Sequence, residues 1–149
     1  MRKLKAKNSA YDLKFKAYDL VLNQLSIVRG MMLLGNYKHI VLAKDKHHGN
    51  INEYLRKFNE VELMQYSTLN DVYGVEVYEG DVIKFPKDYI YKNGKEFCAV
   101  VEKVNGNFYV HDRLLSEVND IVIKIGNIYA ENASMVPKLH KKEQKKWRF

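Results

Sequence analysis

A chain of 149 residues, 46% hydrophobic and 29% charged with only two prolines, has the makings of one packed domain and excludes a disordered, collagen-like or multi-domain chain. The single cysteine, Cys98, excludes an internal disulfide and any zinc site built from cysteine pairs, and no apolar run approaches the roughly 20 residues that a membrane-spanning helix needs. The net charge of +7 is unevenly spread: Met1 to Lys7 contribute +4 through Arg2, Lys3, Lys5 and Lys7, and Lys138 to Phe149 contribute +5, leaving −2 for Asn8 to Pro137. The body is therefore close to neutral, and the excess sits on two terminal arms. Such runs serve as solvated tails or as a non-specific grip on phosphate. Met1 to Lys7 are basic without the apolar stretch of a signal peptide behind them, so a cytoplasmic protein is expected.

In chain order, strands are expected at Leu13 to Tyr18, Leu25 to Leu34 and Tyr37 to Ala43, where β-branched, aromatic and aliphatic residues cluster between turn residues. Asn50 followed by Glu53 makes a capping-box-like start, and Ile51, Tyr54, Leu55 and Phe58 recur at i, i+3, i+4 and i+7, which predicts a short amphipathic helix over Ile51 to Phe58. Val61 to Tyr129 reads as an antiparallel meander, with a strand pair across Val75 to Phe85 and a closing strand within Asp120 to Tyr129. Asn93 and Gly94 are placed to fold Asp88 to Lys92 back onto Lys95 to Val101. The strongest local signal is Glu102 to Val110, because Asn105 and Gly106 suit the positive φ angles of a type I′ turn. That turn sets Val104 opposite Asn107, Lys103 opposite Phe108, Glu102 opposite Tyr109 and Val100 opposite His111. A further helical turn is expected beyond Asn132. The fold class is mainly β, a β-rich α+β chain whose antiparallel sheets or meander form a compact small barrel- or sandwich-like core with one or two short helices.

Candidate chemistry is sparse. The hairpin register makes Cys98 and His111 diagonal neighbours, roughly 7–8 Å apart at Cα, but no group to orient the imidazole and no oxyanion donors accompany them. Cys98 reads as a small buried hydrophobe. His47 and His48, beside Gly49 and after Asp45, lack metal-ligand spacing, and His39 and His140 are isolated. Glu79, Gly80 and Asp81 fit a tight bend better than an acid/base pair, since Asp caps nearby amides and Gly accepts positive φ. Tyr89 and Tyr91 beside Lys87, Lys92 and Lys95 are the one aromatic-basic cluster suited to base stacking. No phosphate-cradling loop, nucleophile elbow or dinucleotide fingerprint occurs. No catalytic residue, metal ligand or cofactor is expected. If nucleic acid is bound, the residues to hold it are Arg2, Lys3, Lys5, Lys7, Lys138, Lys141, Lys142, Lys145, Lys146 and Arg148, with Trp147 available to stack on single strands.

Val61 to Phe85, VELMQYSTLNDVYGVEVYEGDVIKF, resembles the signature of the YopX family of phage and prophage proteins. Lys14 to Asp19 (KFKAYD), Ala99 to Asp112 (AVVEKVNGNFYVHD) and Ile121 to Asn132 (IVIKIGNIYAEN) resemble its N-terminal strand, central hairpin and closing strand. Leu20 to Glu60 is essentially unmatched. Thr68 stands where a Gly is common, Tyr73 replaces the usual Asn before Gly74, and Ala130 interrupts a Tyr-Glu-Asn run. The resemblance implies a single domain over residues 13–136, between a basic arm at 1–12 and a basic tail at 137–149. It marks Glu79, Gly80, Asp81, Asn105, Gly106, Gly126 and Asn127 as turn and motif positions. It carries no catalytic residues or ligand with it. It implies a phage or prophage accessory protein in a bacterial host, non-catalytic and binding a phage or host protein, with DNA or RNA binding by the arms as the alternative.

Overall fold

The computed structural model describes residues 13–43, 52–89 and 97–130. The chain first forms β1 (Phe15–Asp19), β2 (Gln24–Leu34), β3 (Tyr37–Ala43) and β4 (Glu53–Lys57), then a 3-10 turn at Phe58–Glu60. It continues through β5 (Val61–Asn70), β6 (Glu76–Tyr78), β7 (Asp81–Phe85), β8 (Phe97–Val104) and β9 (Asn107–Val110). Last come β10 (Arg113–Leu114), α1 (Leu115–Val118) and β11 (Ile123–Asn127). Among the described residues these strands make two antiparallel sheets, ordered β4-β3-β2-β1-β5-β6 and β10-β9-β8-β7-β11. The fold is mainly β, with one short helix among the described residues.

The second sheet is organised by its hairpin. Asn105 and Gly106 take φ of 50° and 82°, and the ladder sets Val104 opposite Asn107, Lys103 opposite Phe108 and Glu102 opposite Tyr109, as the turn chemistry predicts. Because alternate residues share a face, Ala99 and Val101 join Val110 in one core with Ile83 and Phe85 of β7 and with Leu115 and Val118 of α1. Phe108 packs against it. Val77 of β6 enters the same core, although β6 is hydrogen-bonded to the first sheet. The expected Val100–His111 pair does not form: the ladder ends at Val101 opposite Val110, and His111 turns the chain at φ 59° so that Val110 can pair with Arg113.

The first sheet curls. Arg56 Nε on the edge strand β4 donates to both carboxylate oxygens of Asp19 on β1 at 3.1 Å, although β3 and β2 lie between. In a flat sheet those strands would stand roughly 14 Å apart. Leu20 N–H donates to the Glu60 carbonyl at 3.0 Å and ties the turn after β1 to the approach to β5. Inside the curl lie Ala17, Ile40, Leu42 and Val61, with Val28, Met31, Tyr54 and Phe58 against them.

Three further sequence expectations need correction. Ile51 to Phe58 is not a helix: Glu53–Lys57 is a strand paired with β3, and Phe58 opens a 3-10 turn in which the Glu60 carboxylate accepts from Lys57 N–H at 2.8 Å. Val61 to Tyr129 is not one sheet, because β5 and β6 join β1 while β7 to β11 build the second sheet. Asp88 does not open a strand either. Residues 87–89 turn, with Tyr89 N–H donating to the Pro86 carbonyl, and it is β7 that pairs with β8 from Phe85 opposite Phe97 to Val82 opposite Val100. The Asn93–Gly94 turn, Asn50, Ile51 and the turn beyond Asn132 lie outside the described residues.

Candidate functional site

The bend at Glu79 and Gly80 is where the two sheets are joined. Gly80 takes φ +85° and is buried, and a Cβ there would meet Met64 Sδ at 3.3 Å. Glycine therefore serves twice here, through its backbone freedom and through its missing side chain. Glu79 N–H donates to the Gln65 carbonyl of β5, Gly80 N–H to the Val101 carbonyl of β8, and Ile128 N–H to the Gly80 carbonyl. Asp81, almost wholly buried, locks the bend: its carboxylate accepts from Tyr78 N–H at 2.7 Å, from Asn127 Nδ2 at 3.0 Å and from Lys124 Nζ at 3.0 Å. Asn127 Oδ1 in turn accepts from Tyr129 N–H at 2.9 Å. A buried carboxylate with this many donors is satisfied and structural. Gly126 opposes Val82 where the β7–β11 register shifts by one residue, a bulge that lets Asn127 come opposite Asp81.

Beside the bend is a polar cluster that the sequence reading missed. Lys14 and Lys16 alternate along β1 and its approach, so they share a face with Tyr66 of β5 and Tyr78 of β6, and Lys124 of β11 arrives from the second sheet. Lys14 Nζ contacts Glu76 Oε1 at 2.7 Å, and Tyr78 donates its hydroxyl to Glu76 Oε2 at 2.9 Å. Lys16 Nζ stands 4.4 Å and Lys124 Nζ 5.8 Å from the centroid of the Tyr78 ring. The Tyr66 and Tyr78 rings are 5.3 Å apart, and Tyr66 donates to Asn70 Oδ1 at 2.7 Å.

The charges in this cluster are unequal. The ammonium of Lys14 holds the Glu76 carboxyl below its ordinary range. Burial, and then the hydrogen bond to Glu76, push the Tyr78 phenol well above its usual range, so it stays a donor. Lys16 titrates lower than an ordinary lysine, first because it is half-buried and next because the Lys124 charge is near, and Asp81 and Glu76 do not compensate fully. Both carboxylates are engaged, Glu76 by Lys14 and the Tyr78 hydroxyl and Asp81 by Lys124, Asn127 and the Tyr78 amide. The cluster offers a ligand cations and aromatic faces rather than a poised nucleophile.

The other sequence candidates do not converge. Cys98 is half-buried opposite Lys84, and the ring of His111 rests edge-on against Phe97, 5.0 Å between centroids, on the residue that alternates with Cys98 along β8. Tyr89 spends its ring against Phe85 at 4.8 Å. Tyr91, Lys92, Lys95, the His47–His48 pair and every arm residue named above lie outside the described residues. Among the described residues no group of three or more His, Cys, Asp or Glu could hold a metal ion, and no helix is long and apolar enough to cross a membrane. An open groove of about 470 Å³ flanks the bend, lined in part by Glu62, Met64, Glu79, Gly80, Glu102, Lys103 and Tyr129.

Residues 14–136 match the family described as YopX protein. The chain belongs to the YopX family. No curated protein matches it. In structure it is similar to the crystal structure of protein EF1440 from Enterococcus faecalis, with 22% sequence identity, a TM-score of 0.57, and 85% of this chain and 99% of that chain covered. At that identity the likeness bears on the fold alone. Within the YopX match, the stretches quoted above supply the whole polar cluster: Lys14 and Lys16 come from Lys14 to Asp19, Tyr66, Glu76, Tyr78 and Asp81 from Val61 to Phe85, and Lys124 and Asn127 from Ile121 to Asn132.

Proposed function

We propose that this YopX protein is a non-catalytic accessory protein of a phage or prophage that works in the bacterial cytoplasm by binding a phage or host protein. The observation that carries this reading is the tip of the β2–β3 hairpin. β1 pairs with β2 only as far as Ile27, and β4 pairs with β3 only as far as His39. Among the described residues Leu33 to Lys38 therefore have no strand beside them but each other. Leu34 and Tyr37 pair across the tip, and Leu33, Leu34 and Tyr37 are 64%, 72% and 43% exposed. Apolar side chains gathered on a protruding element gain roughly 25 cal/mol for each Å² removed from water, which favours a protein partner. The test is a photo-crosslinking residue in place of Leu34, expressed during infection. A discrete adduct that disappears when Leu33 and Tyr37 are changed to Asp is expected, and the absence of any adduct sinks the reading.

A second reading, DNA or RNA binding through the basic arms, rests on the charge distribution: +4 and +5 at the ends against −2 between them. For roughly four to six phosphates contacted on duplex DNA, the log–log salt slope should be about −4 to −5, with little sequence preference. Replacing the arm lysines and arginines by Gln should abolish binding and leave the melting temperature unchanged. Trp147→Ala should weaken only single-strand binding.

A further inference from the structure

We propose that two copies of this chain join edge to edge through residues 30–34 of β2, antiparallel about a two-fold axis at Met32. The pairing goes beyond the protein-partner reading and does not depend on it.

The opening for a second copy lies in the hydrogen-bond phase of the β2–β3 hairpin. Gly35 and Asn36 make a two-residue turn, with Gly35 at φ 58°, so the flanking residues Leu34 and Tyr37 exchange both backbone bonds. Gly30 and Met32 likewise point their N–H and C=O toward β3, while those of Met31 and Leu33 point to the other side. That side is where β1 would stand, but β1 pairs with β2 only as far as Ile27 and then stays with β5, the Lys14 carbonyl accepting from Tyr66 N–H. A register shift between Val28 and Gly30 marks the parting. Among the described residues, the N–H and C=O groups of Met31 and Leu33 have no partner.

Among the described residues the other sheet edges are blunted: β4 carries Glu53, Arg56 and Lys57, β6 and β10 run for three and two residues, and β11 shifts register at Gly126. Residues 30–34, GMMLL, carry no charge and no proline. An uncharged strand with an open ladder is a template for another strand, and this one is complementary to itself. With Met32 on the axis, Met31 comes opposite Leu33 of the second copy, and Leu33 opposite its Met31, so every open N–H meets an open C=O. An axis at Met31 would bring Leu33 opposite the irregular backbone at Arg29, and one at Leu33 would bring Met31 opposite the turn at Gly35. The Met32 register sets Arg29 against Gly35, so no like charges meet. It also closes on itself, because each copy uses the same edge. Met32, Leu34 and Tyr37 share a face of the hairpin, and the joined ribbon presents two such sets side by side.

Sedimentation equilibrium of the full chain should show a monomer–dimer equilibrium, with a Kd of about 10–100 µM for an interface well below the roughly 1,600 Å² of a standard one. Met32→Lys or Met32→Glu alone puts like charges opposite each other at the axis and should weaken the dimer by at least about tenfold. An equimolar mixture of the two variants should dimerise again, and each should melt close to the parent at concentrations where the parent is monomeric. Met32→Cys should give a disulfide-linked dimer under mild oxidation, since directly opposed residues of this kind lie about 4.5 Å apart at Cα. Leu34→Cys, whose counterpart is Gly30, and the parent with Cys98 alone should not. A chain that remains monomeric at about 0.5 mM, well above that Kd, overturns the proposal and leaves the protein-partner reading standing. A dimer indifferent to both Met32 charges, or one that the mixture fails to restore, overturns it too. If the chain dimerises only after residues 1–12 are deleted, that segment covers the edge and the proposal falls.

Discussion

In β7 the sheet buries side chains on both faces, with Ile83 and Phe85 in the helix-capped core and Val82 buried behind them. In β2 the order is inverted, since Ser26 is buried while Leu25 and Ile27 on either side of it are exposed. The interior of the first sheet adds polar pairs to its apolar core: Tyr54 hydrogen-bonds Ser26 at 2.8 Å, and Arg56 pairs with a fully buried Asp19. A protein selected for stability alone would place those residues the other way round, because buried polar groups need every partner satisfied and exposed aliphatics gain nothing. The second sheet buries an apolar core, whereas the first mixes its own apolar core with buried polar pairs and exposed aliphatic side chains.

The largest effect expected from this contrast is in the second sheet. Phe85→Ala should cost about 3–5 kcal/mol by removing a fully buried ring and leaving a cavity. Leu34→Ala, at the exposed hairpin tip, should stay within about 0.5 kcal/mol of the parent. Urea denaturation of the two variants checks both, and a Leu34→Ala loss comparable to that of Phe85→Ala would break the comparison.

Next is the ion pair that closes the first sheet. Arg56→Met would remove the cation from the Asp19 carboxylate and leave it the amides of Val21 and Leu22 and the Tyr54 hydroxyl, at a cost of about 2–4 kcal/mol. Burial alone would raise the Asp19 carboxyl, but hydrogen bonds from Arg56, Leu22, Val21 and Tyr54 outweigh it and hold the carboxyl below its ordinary range. A carboxyl depressed in the folded state contributes stability above its unfolded value, and loses it as pH falls toward the folded one. The parent should therefore weaken on acidification below about pH 4. Arg56→Met should show less of this slope. Hydrogen exchange in that variant should accelerate across β1 to β4 before it does so across β7 to β9; uniform acceleration would show that the sheets open as one unit.

The junction between the sheets is the third point of attack. Gly80→Val must adopt φ near +85° and also bring a Cβ to within 3.3 Å of Met64 Sδ, so a loss of about 1–2 kcal/mol or more is expected in thermal unfolding. A variant that melts like the parent would mean that the bend rearranges freely and that the two sheets are not held in register there.

The same contrast explains what could be read from the sequence. Asn105 and Gly106 specify their turn locally, so the register of β8 and β9 follows from a few residues. β4 was illegible for a reason of packing. Its inward positions are Tyr54 and Arg56, and its outward ones are Glu53, Leu55 and Lys57, so an arginine inside and a leucine outside erase the two-residue alternation. What remains in the sequence is the i, i+3, i+4, i+7 spacing of a helix that does not form. The polar cluster was hidden differently. Lys14 and Lys16 show their shared face in the spacing of KFKAYD, but Glu76, Tyr78 and Lys124 come from distant segments, and only the placing of β1 beside β5 and of β11 beside β7 brings them together.

The smallest effect concerns a threonine held in the left-handed region. Thr68 takes φ +66° in β5, where the ladder to β6 shifts between Tyr66 and Asn70, and its side chain is exposed. A β-branched residue in the left-handed region is strained by about 1–2 kcal/mol. The surrounding bonds fix the conformation regardless: Ser67 Oγ accepts from Leu69 N–H at 3.1 Å and donates to the Val77 carbonyl at 2.7 Å, so the backbone at Thr68 cannot relax without breaking both. Thr68→Gly relieves the strain, but glycine loses more freedom on folding, roughly 0.5–1 kcal/mol. The balance is a gain of about 0.5–1 kcal/mol, measurable as a higher urea midpoint with an unchanged slope. Gly80 and Thr68 thus make a matched pair, since glycine at one left-handed position is needed for stability while its absence at the other costs some. Should Thr68→Gly destabilise instead, the threonine makes a contact that its exposure does not reveal, and the strained segment of the first sheet would have to be counted with the stabilising parts of the molecule.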